Sequence, residues 1–185
     1  MKNNANLGES RDHRLKRLQG GEPDEAISTL LNSISNFFNN EIRITPDNTQ
    51  ASLLFLGIHA SALTISEALF GKTGKDGYKK FLEVYIDGET ENTKFSLIAK
   101  DIHNWRNVLA HQWIGSIGHV IGYDYVMTNG WERRDGELFI NPKIYCEKYI
   151  GAFDTDGRIW DYRSILTEAE QEHAKNRIVK KYQQT

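Results

Sequence analysis

The chain has 185 residues, of which 39% are hydrophobic and 26% charged, with a formal net charge of -2. This is one domain's worth of sequence with enough apolar material for a core. The near-neutral balance gives no general support for nucleic-acid binding, so any such contact has to come from a local patch. A single cysteine, Cys146, excludes an internal disulfide framework and a multi-cysteine zinc site, and it fits a reducing, cytoplasmic setting.

Residues 1–22 are polar and end in Gly20-Gly21-Glu22-Pro23, the composition of a flexible tail. Met1 to Asn6 carry no apolar run of the signal-peptide kind, so secretion is not expected. Arg11, Arg14, Lys16 and Arg17 form a small basic cluster within the tail, read as a solvated arm. Residues 23–185 are expected to form a single helical domain. Its first helix starts near Pro23-Asp24-Glu25, where acidic side chains favour a helix N-terminus, and runs through Ile27, Leu30, Leu31, Ile34, Phe37 and Phe38 at spacings of three and four. A second helix runs from about Pro46-Asp47 to Phe70, turning Leu53, Leu56, Ile58, Ala62, Ile65 and Leu69 toward partners. Gly71 ends it. Its most hydrophobic run, Ala51 to Ile65, contains His59 and reads as too short for a membrane span, so no membrane partner is expected. His59 itself reads as a hydrogen-bonded core histidine, with a role near the site as the lesser alternative.

Gly71-Lys-Thr-Gly-Lys-Asp-Gly77 resembles a phosphate loop only superficially. Ser66 stands where the first glycine belongs, and a helix precedes it in place of a strand, so the segment is a turn between helices. A shorter helix spans Tyr78 to Ile86, closed by Asp87-Gly88. The next helix, roughly Lys94 to Trp113, carries Ile98, Ile102, Trp105 and Leu109 within one narrow apolar stripe. Beyond Trp113, Gly115, Gly118 and Gly122 break the helical period. The β-branched and aromatic run His119 to Met127, the turn signals Asn129-Gly130 and Asp135-Gly136, and the segment Glu137 to Asn141 predict an antiparallel hairpin or three-stranded meander around residues 118–141. Pro142 can start a helix through Tyr145, Tyr149 and Ile150. A capping box at Thr167-Glu-Ala-Glu170 opens the last helix, whose thin stripe of Ile165, Ala169, Ile178 and Val179 suggests a peripheral or dimer-supporting position. The fold class is therefore mainly α, an up-and-down helical bundle with a small β element appended after the helix Lys94 to Trp113.

The helix Lys94 to Trp113 has an unusual polar side: Ala99, His103, Arg106, Asn107, Ala110 and His111, in place of the Glu and Lys pairs of a solvated face. His103, Asn107 and His111 follow one another at i,i+4, with Arg106 on the flank. Histidine can take and return a proton near neutral pH, and the arginine fork matches phosphate oxygens, so this set suits phosphodiester chemistry without a metal. Arg106 and His111 lie about 140° apart around an ideal helix, which favours a site composed from two subunits. Trp113 and Tyr123 are candidates to stack on a base, although such residues more often serve packing. His103, His111 and His119 recur every eight residues, but glycines intervene before His119 and no carboxylate or cysteine stands at ligand spacing. No metal and no cofactor are expected.

Arg106-Asn107-x-x-x-His111 resembles the signature of the HEPN superfamily, in which an arginine with a polar neighbour precedes a histidine near the end of a bundle helix. The resemblance rests on six residues in the context of an amphipathic helix that follows two long apolar ones. It implies a helical-bundle fold and, as in many members, a metal-independent ribonuclease, often a toxin or antiviral effector. It further implies a homodimer in which the Arg and His of two protomers face a shared cleft. On this basis Arg106, His111 and Asn107 are the expected catalytic residues, with His103 and Trp113 as substrate contacts, RNA as substrate and an antitoxin or defence component as possible partner. The residues also admit a non-catalytic dimer in which the polar face seals a subunit seam, and a nucleotide-binding module using the same Arg and His.

Overall fold

The computed structural model describes residues 10–42, 51–112 and 121–184, and it begins with a helix where composition predicts a flexible tail. Arg11–Gly20 forms α1, whose first turn is capped by Ser10 accepting the His13 N–H at 3.3 Å. Leu18 is wholly buried. Arg11 donates to the carbonyls of Tyr182 and Gln183 at 3.3 and 3.1 Å, at the far end of the chain. For residues 11–20 the structure differs from the expectation because the partner that buries α1 lies outside any local sequence window.

Pro23–Phe37 forms α2, with Pro at its first turn and Asp24 and Glu25 beside the helix N-terminus. Ala26, Ile27, Leu30 and Leu31 are buried. The chain continues through a π-helical turn at Phe38–Ile42. Phe38 prolongs the centre of the stripe and is buried, whereas Phe37 falls roughly 70° from that centre and is 48% exposed, against the expectation that both face inward.

The apolar segment Ala51–Phe70 becomes α3. By length and composition its Ser52–Phe70 stretch could cross a membrane, which corrects the argument that the segment is too short. Its place in the bundle follows from packing instead. Phe55, Ile58, Ala62, Ile65 and Leu69 are buried, and helices from across the chain cover it. Leu53, expected inward, is half exposed. After a turn at Gly71, α4 spans Gly74–Phe81 and passes into a π-helical turn at Leu82–Ile86. The helix starts four residues before the predicted Tyr78. Gly77 lies within it at a point where a Cβ would come 2.5 Å from the Lys72 carbonyl, so here glycine serves close packing and not a break.

Asp87 accepts the Ser96 N–H at 2.9 Å and its hydroxyl at 2.5 Å, fixing a 3-10 turn at Phe95–Ile98 that leads into α5, Ala99–Gln112. Ile98, Ile102, Trp105 and Leu109 are all buried, as their spacing predicts. α5 packs on α3 and α4. Ala99, expected on the open polar side, is buried near α4, so the close helix approach permitted by this small residue is made within the chain.

The β element consists of β1 (Gly122–Tyr123), β2 (Trp131–Arg134) and β3 (Glu137–Ile140). β2 and β3 form the predicted antiparallel hairpin, in register Trp131 to Ile140 and Arg134 to Glu137. Asp135 and Gly136 both have positive φ, 51° and 85°, the geometry of a two-residue turn whose twist matches the strands. β1 lies on the other side of β3 and runs parallel to it.

Asn141 joins the sheet to α6 (Pro142–Ala152): its Oδ1 accepts the N–H groups of Lys143 and Ile144, and its Nδ2 donates to the Met127 carbonyl at 2.7 Å. Tyr145 and Tyr149 of α6 are wholly buried among Phe38, Phe55, Phe81 and Phe95. After a 3-10 turn at Arg158–Asp161 and the short α7 (Tyr162–Ile165), the predicted capping box forms. Thr167 Oγ1 accepts the Glu170 N–H, and the Glu170 carboxylate accepts the Thr167 N–H at 2.8 Å. It opens α8, Glu168–Gln184. This helix is not peripheral. It packs on α1, α2 and α3, buries Ala174 and Ile178, and sends Arg177 to the carbonyls of Ala68 and Leu69 at the end of α3, both at 2.9 Å.

Candidate functional site

The polar side of α5 is held in place from several directions. Trp105 on the buried side donates its indole N–H to the Tyr123 hydroxyl at 3.1 Å, tying the helix to β1. Asp101 pairs with Arg133 of β2 at 2.8 Å. Tyr123, a candidate stacking residue by its sequence, is committed to packing, because its ring also stacks on Phe55 with centroids 5.5 Å apart.

His103 faces inward through one ring nitrogen. Its Nδ1 lies 2.9 Å from Nε2 of His59 on α3, 44 residues earlier in the chain. His59 is fully buried, with the Tyr78 ring 4.3 Å away between centroids, and Tyr78 in turn hydrogen-bonds Tyr145. A hydrogen-bonded histidine pair therefore runs from the half-exposed His103 into the core, where it meets the ring of Tyr78. Burial is the main cause that pushes the His59 pKa down to about 3, helped by repulsion from His103 whenever that ring is protonated and by the charge of Arg106, so the ring is neutral at ordinary pH. Burial, then Arg106 and Lys75, also hold His103 below the ordinary histidine range. The prediction that His59 is a hydrogen-bonded core histidine holds, and the bond brings it next to the site. Only the α3–α5 crossing reveals that, because no periodic signal links the two positions.

Arg106 lies one turn beyond His103 and is half-buried. Its NH1 donates to Asn107 Oδ1 at 3.0 Å, so Asn107 steadies the guanidinium. Arg106 Nε is buried and has no hydrogen-bond partner among the described residues. Arg133, Arg134 and Arg163 each meet a carboxylate, but Arg106 meets none among the described residues. Between α4 and the start of α5, a groove of about 350 Å³ is lined by Lys75, Lys79 and Lys100, with Asp76 as its one acidic group and none of His103, Arg106 or Asn107 in its lining. Lys79 also pairs with Glu83 at 3.6 Å. The local balance at this end of α5 is positive although the chain as a whole is slightly negative.

The structure thus brings His103, Arg106 and Asn107 together with His59 of α3, and Lys75 of α4 stands close enough for its charge to act on His103. His111 belongs to α5 by its backbone, while its side chain, like the whole of Trp113 and His119, lies outside the described residues. Among the described residues no three His, Cys, Asp or Glu side chains are grouped so that they could hold a metal ion. A larger cleft of about 470 Å³, lined by Tyr85, Asp87, Glu147, Lys148 and Arg158, contains none of the motif residues, and its mixed charge singles out no chemistry. Comparison with protein-family models, with curated proteins and with solved structures found no match.

Proposed function

We propose that the protein is a metal-independent RNA endonuclease of HEPN type, acting as a homodimer with a composite site across the two α5 helices. The observation that carries this reading is Arg106, a steadied, half-buried cation without a carboxylate partner among the described residues and with an unused buried donor at Nε. A cation kept in that state is suited to an oxyanion from outside the chain. In the reaction, the ribose 2′-oxygen attacks phosphorus as its proton passes to a base, and the bond to the 5′-oxygen breaks as that oxygen takes a proton. His111 serves as base or acid, Arg106 neutralises charge growing on the phosphoryl oxygens, Asn107 orients Arg106, and His103 is a secondary donor. Trp113 is a candidate base contact. The products are a cyclic phosphate and a 5′-hydroxyl, and DNA is spared because it lacks the attacking oxygen. A toxin or antiviral role, with an antitoxin or other defence partner, is the setting in which such an activity fits.

The test is incubation of wild type, Arg106→Ala and His111→Ala with mixed RNA in EDTA, reading cleavage and end chemistry. Metal-free cutting by wild type alone, with cyclic phosphate ends, supports the reading. Cleavage that survives both substitutions, or requires magnesium, refutes it. The internal bonds His59 to His103 and Arg106 to Asn107 favour a second reading, a non-catalytic dimer or nucleotide-binding module whose polar face is largely self-satisfied. In that case Arg106→Ala shifts the protein toward monomer or lowers its stability, and no RNA is lost.

A further inference from the structure

His59 has two ring nitrogens and, being neutral, one proton. Its Nε2 meets His103 Nδ1 at 2.9 Å, and its Nδ1 is buried with no partner among the described residues. Two arrangements satisfy the contact. If the proton sits on Nε2, His59 donates to His103 and the orphan is a bare acceptor nitrogen. If it sits on Nδ1, His59 accepts from His103 and the orphan is a buried N–H. In the backbone, orphaned buried N–H groups are rarer than under-used acceptors, and the same accounting applied to the ring favours the first arrangement. It has a consequence for His103. With Nδ1 accepting, the neutral His103 carries its proton on Nε2, the nitrogen that has no partner among the described residues.

We propose that His59 is a positioning residue that locks His103 in the Nε2–H tautomer, so that His103 and Arg106, one helical turn apart, form a two-donor site for a phosphoryl oxyanion. His103 is then a neutral hydrogen-bond donor and not a base. Protonating it would set an N–H on Nδ1 against the His59 N–H and force the His59 proton onto the buried, unpartnered Nδ1. The cationic neighbours Arg106 on α5 and Lys75 on α4 oppose that second charge and favour an arriving anion. Tyr78, against the other side of His59, has its hydroxyl engaged by Tyr145 and offers His59 a ring contact. The choice of phosphate as ligand rests on the ribonuclease reading, whereas the tautomer does not.

The experiment uses the full chain labelled with 15N at histidine, in EDTA at neutral pH, with long-range proton–nitrogen correlations that separate protonated from bare ring nitrogens. His103→Gln and His59→Gln assign the signals. The expected pattern is a protonated Nε2 and a bare Nδ1 on both rings. A protonated Nδ1 on His103, or a charged ring, overturns the proposal, and the His103 signal that decides it is assigned by His103→Gln alone, at a half-exposed position. Inorganic phosphate and a 2′-deoxy dinucleotide, which cannot be cleaved by the proposed route, are then titrated in. Either should move the His103 Nε2–H signal, with about tenfold weaker binding in His59→Leu and recovery in His59→Gln, whose amide can supply the donor at the Nε2 position. No movement of His103 with either probe overturns the anion site. A protein that shows the tautomer and binds phosphate but leaves RNA intact retains this inference and loses the ribonuclease reading. One that cuts RNA with His103 in the other tautomer does the reverse.

Discussion

Replacing Asn141 by alanine tests the junction that sets the sheet against the bundle. Its side chain is 3% exposed and makes two separable contributions. The carbonyl oxygen caps α6 by accepting from Lys143 and Ile144 at 2.9 and 3.2 Å, and the amide donates to the Met127 carbonyl at 2.7 Å. Loss of an N-cap costs about 1 kcal/mol. Leaving the buried Met127 carbonyl without its donor costs a further 1–3 kcal/mol or so. Asn141→Ala should therefore lower the unfolding free energy by about 2–4 kcal/mol in urea denaturation followed by tryptophan fluorescence, with an unchanged denaturant slope. Asn141→Asp keeps a capping oxygen but sets a second carboxylate oxygen against the buried Met127 carbonyl, so it should recover little or nothing of the loss. An alanine variant within about 1 kcal/mol of wild type would refute the reasoning. So would an aspartate variant as stable as wild type, because the amide contact would then carry nothing.

Arg177→Met removes the two charge-assisted bonds to the Ala68 and Leu69 carbonyls while keeping an apolar stem, and should cost about 1.5–3 kcal/mol by the same urea assay. A neutral result would mean that water replaces the guanidinium at the end of α3. Tyr123→Phe leaves the Trp105 indole N–H without its partner and should cost about 1–2 kcal/mol, with a change in tryptophan emission. An unaltered spectrum and midpoint would show that the bond is not made in solution. The histidine pair predicts a pH dependence of stability. As pH falls below about 6.5 the unfolded chain takes up a proton on His59, whereas the folded protein does not until about 3, so the unfolded state binds more protons across that window. Stability from this group is complete above the unfolded pKa and declines toward acid, with a slope of at most about 1.4 kcal/mol per pH unit. His103, shifted in the same direction, adds to it. His59→Gln should flatten the profile between pH 7 and 5, and an equally steep profile in the variant would contradict the burial of a neutral His59.

The sequence alone determined what short-range physics controls. The stripe Ile98, Ile102, Trp105 and Leu109, the capping box at Thr167 and Glu170, and the Asp135-Gly136 hairpin turn are each written within a few residues, because helix periodicity, end capping and turn geometry act over one or two turns of chain. The mainly helical class and the unusual composition of the α5 polar side were legible for the same reason. Tertiary structure decided the rest. It turned the polar segment after Ser10 into α1 by supplying partners near Tyr182, made α8 part of the core, and placed Ala99 against α4. It also brought His59 within 2.9 Å of His103 across 44 residues. That contact is a property of how two helices cross. Each helix advertises its own buried face in its sequence, but the crossing that puts one residue of α3 opposite one residue of α5 is chosen by the packing of the whole bundle.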